Sequence, residues 1–368
     1  MRITEFELTP VRTYREMGRR SPADTERSPS DHVVLQLHTD TDVIGIGEMS
    51  DVSWEVSASV CDDLRQRLEA VLGGGDLLQR DALMTRLVEA GEWEHQVLCG
   101  IDIAIHDAVA RHQGQSVAEL LGGAHCERVP FAYPLAPAQT AADVEANLAR
   151  VERRMGEGHN GFRYYFGVDV DLDDSFLEQA RSRWGDSLRL VALDASGRFA
   201  PDEAIAAIER LAQYQPAVFE SPVRGRHNAP VEDFLKVKEA TGAAFSEHIT
   251  DAEVATRLGE GGAIDVFNNG VGYAGIAACR RTFEVAEGLG LRTLLGSTVE
   301  MSIGTAARVQ VAASVPNLDL GVYMAGPLVY HEDVAVERVR YEEGHVVLPA
   351  GPGIGVELDH DALAALTF

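Results

Sequence analysis

Apolar and polar positions alternate with period two at the start of the chain, in ITEFELTPV (3–11), HVVLQLHT (32–39) and VIGIGEM (43–49). Alternation of this kind predicts half-buried strands. Between Tyr14 and Asp31 the chain is rich in Arg, Ser, Pro and Asp, which predicts a polar loop. Residues 56–122 change to helical spacing, and the long apolar stripe of 96–123 closes on Gly122-Gly123. Together these segments predict an N-terminal α+β cap over residues 1–125.

From about residue 129 the pattern changes again, to short apolar runs separated by amphipathic helices. Eight runs read as strands: VPFAYPL, GFRYYFG, LRLVALDA, AVFESPV, AAFSEHI, AIDVFNNG, RTLLGST and LDLGVYM. Helices such as DDSFLEQARSRW and PDEAIAAIERLAQY lie between them. Eight β/α repeats predict a closed (β/α)8 TIM-like barrel over residues 126–330 rather than an open sheet. Residues 331–368 show no further repeat and are expected to return to the cap.

The chain has 368 residues, 45% of them apolar, enough for a barrel and a second domain. No run approaches the length of a membrane span, and the first residues lack the apolar core of a signal peptide, so a cytoplasmic protein is expected. Four scattered cysteines without a CxxC pair read as free buried thiols. A formal charge of −26 excludes nucleic acid and acidic membrane surfaces as natural partners. Lys236 and Lys238 are the only lysines. Salt adaptation and a GC-rich genome each explain abundant acid with scarce lysine. A small carboxylate ligand and a homo-oligomeric state are the expected partners.

Catalytic residues of a barrel stand where strands run into the following loops. Asp194, Glu220 and Glu247 do so on three successive strands, 26 and 27 residues apart. Converging carboxylates repel one another and raise each other's pKa, a conflict that a hard divalent cation resolves. The alternative is three unrelated strand-end acids, each satisfied by an arginine or a backbone N–H.

The order of motifs resembles the mandelate racemase and muconate lactonizing enzyme branch of the enolase superfamily. The pieces are VIGIGE, GIDIAIHDAVARHQGQSVAELLGG, GFRYYFGVD, LDASG, FESPV, SEHI, NNGVGYAGI, LGSTVEMSIGTAA and GPGIGVELD. The resemblance implies Mg²⁺ held by Asp194, Glu220 and Glu247. It also implies removal of the proton α to a carboxylate, with the metal stabilising the enediolate. Ser246 precedes Glu247 where many relatives carry an acidic pair. The GxG of VIGIGE is not a nucleotide motif, since no βαβ unit follows it.

Two departures from the family pattern shape the expected chemistry. Arg163 and Tyr165 stand where muconate-type relatives carry Lys-x-Lys, and residues two apart share a strand face. Tyr165 is therefore the expected proton-transfer group, held toward the phenolate by Arg163 and the metal. Gly270 occupies the position of the opposite acid/base. Glu300 is a further candidate acid. Asn268 and Asn269 are candidate substrate contacts, as are Tyr14, Arg19, Arg20, Met49 and Trp54 in the cap loops. His248, Arg224, Arg226 and His227 read as structural or solvated. A Mg-dependent lyase, a hydroxy-acid or acid-sugar dehydratase, is the first expectation. A muconate-type cycloisomerase is the second, and a non-catalytic metal- or carboxylate-binding barrel the third.

Overall fold

The computed structural model describes residues 1–16, 22–23 and 28–368. The cap opens with an antiparallel sheet of β1 (Ile3–Arg15), β2 (Ser28–Thr39) and β3 (Ile44–Met49). Pairing of β1 with β2 continues to Arg15↔Ser28, so strand reaches into the segment expected to be loop. The Arg12 guanidinium supports that extension by clamping Asp31 on the partner strand at 2.7 Å. Helices α1 (Ala58–Leu72), α2 (Arg80–Glu89), α3 (His95–Gln113) and α4 (Val117–Leu120) complete the cap. The GxG in β3 is a packing device. A Cβ on Gly45 or Gly47 would sit 2.2 or 2.1 Å from a carbonyl oxygen of α3. Only glycine lets this strand lie so close to that helix.

The chain then runs through β4 (Arg128–Pro130), β5 (Tyr133–Leu135), α5 (Ala141–Gly156), β6 (Gly161–Tyr165), α6 (Val170–Trp184), β7 (Arg189–Asp194) and α7 (Pro201–Leu211). It continues through β8 (Val218–Glu220), α8 (Val231–Thr241), β9 (Phe245–Ile249), α9 (Ala252–Glu260), β10 (Val266–Asn269) and α10 (Val271–Leu289). Last in the barrel are β11 (Arg292–Leu295), α11 (Ser302–Ala313), β12 (Leu318–Val322) and α12 (Gly326–Val329). Strands β5 to β12 form one parallel sheet in chain order. It closes where Phe131 bridges Val322 and the Ala132 N–H reaches the Val322 carbonyl at 2.9 Å. All eight strands expected from the sequence are present. Their outer faces and the surrounding helices share one core, which includes Phe162, Phe245 and Phe267. A small apolar cluster of Ala192, Val218, Val266, Leu294 and Tyr323 fills the lumen.

The tail carries β13 (Tyr341–Glu342), β14 (His345–Val347), which pairs with β4, and α13 (His360–Leu366). Its Gly353 bridges Ser116 and its Thr367 bridges Val11 of the N-terminal segments. Asp107 of α3 accepts the Ile46 N–H of β3 at 2.9 Å and the Ile354 N–H of the tail at 2.8 Å. A Cβ on Gly353, whose φ is +72°, would fall 2.0 Å from the same carboxylate.

Cap and barrel also meet at a buried carboxylate. Glu48, at the end of β3, accepts His32 Nδ1 at 2.9 Å and the N–H groups of Met301 and Gly304 at 2.8 Å each. Those two N–H groups open α11, where a helix leaves donors unsatisfied and favours negative charge. Among the described residues no helix is long and apolar enough to cross a membrane.

The acidic surface makes a separate prediction. Raising salt from about 0.1 to 1 M shortens the screening length from about 10 to 3 Å. If the charge of −26 is salt adaptation, the melting temperature rises steeply with KCl toward molar concentrations. A flat melting curve series would favour genomic composition as the cause.

Candidate active site

Strand register builds the site. Tyr165 pairs with Asp194, Asp194 with Glu220, and Glu220 with Ser246. Registered neighbours point to the same face, so these four form one row across β6, β7, β8 and β9. The row faces the lumen, because Ala192 and Val218, two residues earlier on their strands, belong to the lumen cluster. Arg163 lies one step below Tyr165 on the same face and reaches up into the row. Its Nη2 donates to both Asp194 and Glu220, and its Nη1 donates to the Tyr165 hydroxyl at 2.7 Å. The guanidinium carbon sits 4.4 Å from the Tyr165 ring centre and 4.7 Å from that of Tyr323. Such face contacts are favourable for a cation.

Glu247 does not join the row. It follows Ser246, so it turns to the other face of β9, in register with Phe267 of the outer core. One carboxylate oxygen accepts the Ser221 hydroxyl at 2.8 Å and the His248 N–H at 2.7 Å. The other oxygen is buried without a hydrogen-bond partner. Burial pushes this carboxyl up to about 7. The spacing of 27 residues instead of 26 is the physical reason, since one extra residue reverses a strand's face. His248 and Ser246 face the row instead: His248 Nε2 lies 3.2 Å and Ser246 Oγ 3.5 Å from Glu220 oxygens.

The electrostatics follow from burial and from Arg163. Burial opposes the charge on Glu220, but Arg163 and His248 hold its carboxyl down at about 2. Asp194 is pushed up, by burial and by the negative Glu220, against the pull of Arg163. Tyr165 is also raised. Burial is the main cause, and Asp194 and Glu220 add to it against Arg163. This direction favours the phenol over the phenolate expected from the sequence.

A cavity of about 320 Å³ opens beside Tyr165, between barrel and cap, within the size range of small-molecule sites. Arg15, Ser196, Arg198, Val299 and Ala325 also line it. Arg198 donates to the Ala195 carbonyl at 3.1 Å and has no carboxylate partner among the described residues. Arg15 leans on Asp51 at 2.6 Å. Ser196 (φ +51°), Ser221 (φ +44°) and Val299 (φ +62°), in the loops after β7, β8 and β11, are left-handed without being glycine. Backbone strain of this kind gathers at functional sites. Arg15, Ser196 and Arg198 were not singled out from the sequence. LDASG marked the loop, but nothing in the pattern pointed Arg15 inward.

The other expected contacts divide. Asn268 donates to Glu220 at 3.0 Å and belongs to the site, and Asn269 is buried beside it in sequence with neither side-chain polar atom partnered among the described residues. Tyr14 lies on β1, paired with Pro29. Met49 and Trp54 are not brought to the cavity; both pack with the cap's own core. Arg19 and Arg20 lie outside the described residues. Glu300 is fully buried and tied to Arg308 at 2.9 Å and the Ser297 hydroxyl at 2.7 Å. It also accepts the Thr298 N–H. That is the geometry of a loop brace. Gly270 stands at the end of β10 and offers no side chain.

The Mg²⁺ implied by the family resemblance needs donors that this row does not assemble. Among the described residues no three His, Cys, Asp or Glu side chains are placed to hold a metal ion. The two carboxylates of the row are bridged by Arg163, and its β9 position is Ser246. The residues present do not fit the three-carboxylate site.

Comparison with known proteins adds to this geometry. The family model for the enolase C-terminal domain-like fold matches residues 146–362. That for the mandelate racemase / muconate lactonizing enzyme N-terminal domain matches residues 11–122. A chloromuconate cycloisomerase of Cupriavidus necator is 30% identical over 351 residues, spanning 91% of each chain. Muconate cycloisomerase 1 of Rhodococcus opacus is 30% identical over 270 residues, spanning 73% of this chain and 71% of its own. The crystal structure of 2-chloromuconate cycloisomerase from Rhodococcus opacus 1CP shares the fold over the full length of both chains, with a TM-score of 0.90 at 23% identity.

Proposed function

The chain belongs to the mandelate racemase / muconate lactonizing enzyme family, within the enolase superfamily, and from that premise we propose that it is a cycloisomerase of small unsaturated dicarboxylates. An enzyme of the lyase or isomerase type follows from its relatives. Between those types, the relatives favour ring closure over the dehydration first expected from the sequence.

The observation that carries the reading is a half-buried Tyr165, hydrogen-bonded by Arg163, on the wall of a cavity flanked by Arg15 and Arg198. Lactonisation of a muconate-like diene needs those parts. One carboxylate oxygen of the substrate attacks the carbon β to the other carboxylate and forms the ring C–O bond. The displaced electron pair moves onto the other carboxylate as an enediolate, and the carbon α to it takes a proton. The dianion and one proton become a lactone monoanion. Tyr165 supplies that proton from one face, and solvent returns it to the phenolate. Arg198, with no acidic partner, is the anchor for a carboxylate. Gly270 leaves the opposite face without a donor, so two-base racemisation is not the reaction.

The test is turnover of muconate and its substituted analogues in D₂O, followed by NMR. One deuterium on the α carbon, in a single configuration, is the expected product. Loss of water from hydroxy acids, or label on both faces, would replace the proposal with dehydration or racemisation. No turnover across such acids would favour the binding-barrel reading.

A further inference from the structure

We propose that Arg163 takes the place of a divalent cation in this barrel: a guanidinium tethered on β6 neutralises Asp194 and Glu220, and the lumen row holds no metal. The inference goes beyond the proposed reaction. It stands on strand register and side-chain contacts, not on the substrate.

Four observations converge on it. The row Tyr165, Asp194, Glu220, Ser246 presents two carboxylates and two hydroxyls, with Glu247 turned to the outer face. Mg²⁺ binds about six oxygens at about 2.0–2.1 Å, with carboxylates supplying the charge. Here the inner oxygens of both carboxylates already accept Arg163. The same Glu220 oxygen also takes Asn268 at 3.0 Å and lies 3.2 Å from His248, so its acceptor sites are occupied. The Arg163 guanidinium moreover lies over the rings of both Tyr165 and Tyr323.

Displacing it would strip a buried cation of two carboxylates and two aromatic faces at once. It has no way out by deprotonation, because a guanidinium keeps its proton in any protein environment. Nor can it share the site, since a divalent ion beside it would face like-charge repulsion in a medium of low dielectric. A lysine here would be a different device, able to lose its proton and yield to a metal.

The substitution also changes the chemistry. A guanidinium is a delocalised single charge and a hydrogen-bond donor, not a Lewis acid. Its Nε–H is buried and has no partner among the described residues. The field of Arg163 acts on Tyr165 directly through the 2.7 Å hydrogen bond, so the cation and the proton donor are one unit. Such a pair suits an enediolate that is protonated as soon as it forms.

The test begins with wild-type protein dialysed against EDTA and titrated calorimetrically with MgCl₂ and with MnCl₂. Expected are no saturable uptake and an unchanged melting temperature with either metal. Stoichiometric uptake overturns the proposal. Arg163→Met then leaves the two acids uncompensated, and its melting temperature falls by roughly 5–10 °C, as for removal of one partner from a buried charge pair. Arg163→Met that is as stable as wild type in EDTA overturns the proposal as well. If that variant does not fold, the triple variant Arg163→Met, Asp194→Asn, Glu220→Gln removes cation and anions together and recovers folding. A triple variant no better than the single one sinks the idea. Adding Ser246→Asp to Arg163→Met completes a three-carboxylate row and creates a melting temperature that rises with MgCl₂. None of these readouts measures turnover, so they stand or fall apart from the lactonisation assay.

Discussion

Tyr165→Phe is expected to lower kcat by about 10²–10⁴, the usual worth of a positioned acid or base. The ring stays, so the face over the Arg163 guanidinium carbon at 4.4 Å is kept and packing is little disturbed. What goes is the hydroxyl proton and the 2.7 Å bond from Arg163. Substrate carboxylates anchor on the arginines of the cavity, so KM should change far less than kcat. That split separates a proton donor from a residue that merely shapes the pocket. The pH profile adds a second readout. Burial and the two acids hold Tyr165 above the ordinary tyrosine value of 10. The wild-type rate should therefore not fall through Tyr165 ionisation anywhere in the neutral range. Full activity in Tyr165→Phe would place the chemistry on another strand, and a rate that rises with pH through the neutral range on a limb lost with the hydroxyl would make Tyr165 a base.

Glu48→Ala should cost about 3–5 kcal/mol of stability, the range for removing one member of a buried charged network. The substitution leaves His32 and the N–H groups of Met301 and Gly304 without their acceptor in a water-free place. Burial works against the Glu48 charge, but His32 and those N–H groups outweigh it and hold its carboxyl below 4.5. The sign follows from that shift. The stabilisation is fully present above the unfolded carboxyl pKa and is lost as pH falls through the lower folded value. Denaturant melts at pH 7 and pH 3 check both parts. The gap between wild type and Glu48→Ala is wide at pH 7 and narrows on acidification. Equal stabilities at pH 7 would remove Glu48 as a joint between cap and barrel.

Most of the architecture was legible because a parallel strand buried on both sides is a short apolar run between polar helices, and eight of them can be counted. Asp194 and Glu220 were legible for the same reason, as acids at the ends of such runs. Glu247 misled because sequence shows proximity to a strand end, whereas facing depends on register. One residue of extra spacing is invisible until β8 and β9 are paired. Tyr165 was found through its position, yet its protonation state depended on burial and on which acids shared the row. Arg163 was legible as a cation, but not the two carboxylates that its side chain spans. Met49 and Trp54 sit in segments that reach toward the barrel, and only the packing of β3 on α3 shows that their side chains turn inward to the cap. Arg198 and Arg15 carried no pattern at all, since a lone arginine in a loop is ordinarily solvated.

Asp107 joins a cap strand, a cap helix and the returning tail, and Glu48 joins the cap to the first turn of α11. Bodies tied at two separate buried points cannot hinge about either one. Large-amplitude swinging of the cap would break charged contacts that have no aqueous substitute until the parts come fully apart. Motion that admits and releases ligands must therefore be small and local. The turn at Asp51, left-handed at φ +42° and the carboxylate partner of the cavity-lining Arg15, is one place where such motion can occur. Selectivity among ligands would then reside in rim side chains that rearrange one at a time, with the scaffold beneath them staying rigid throughout the catalytic cycle.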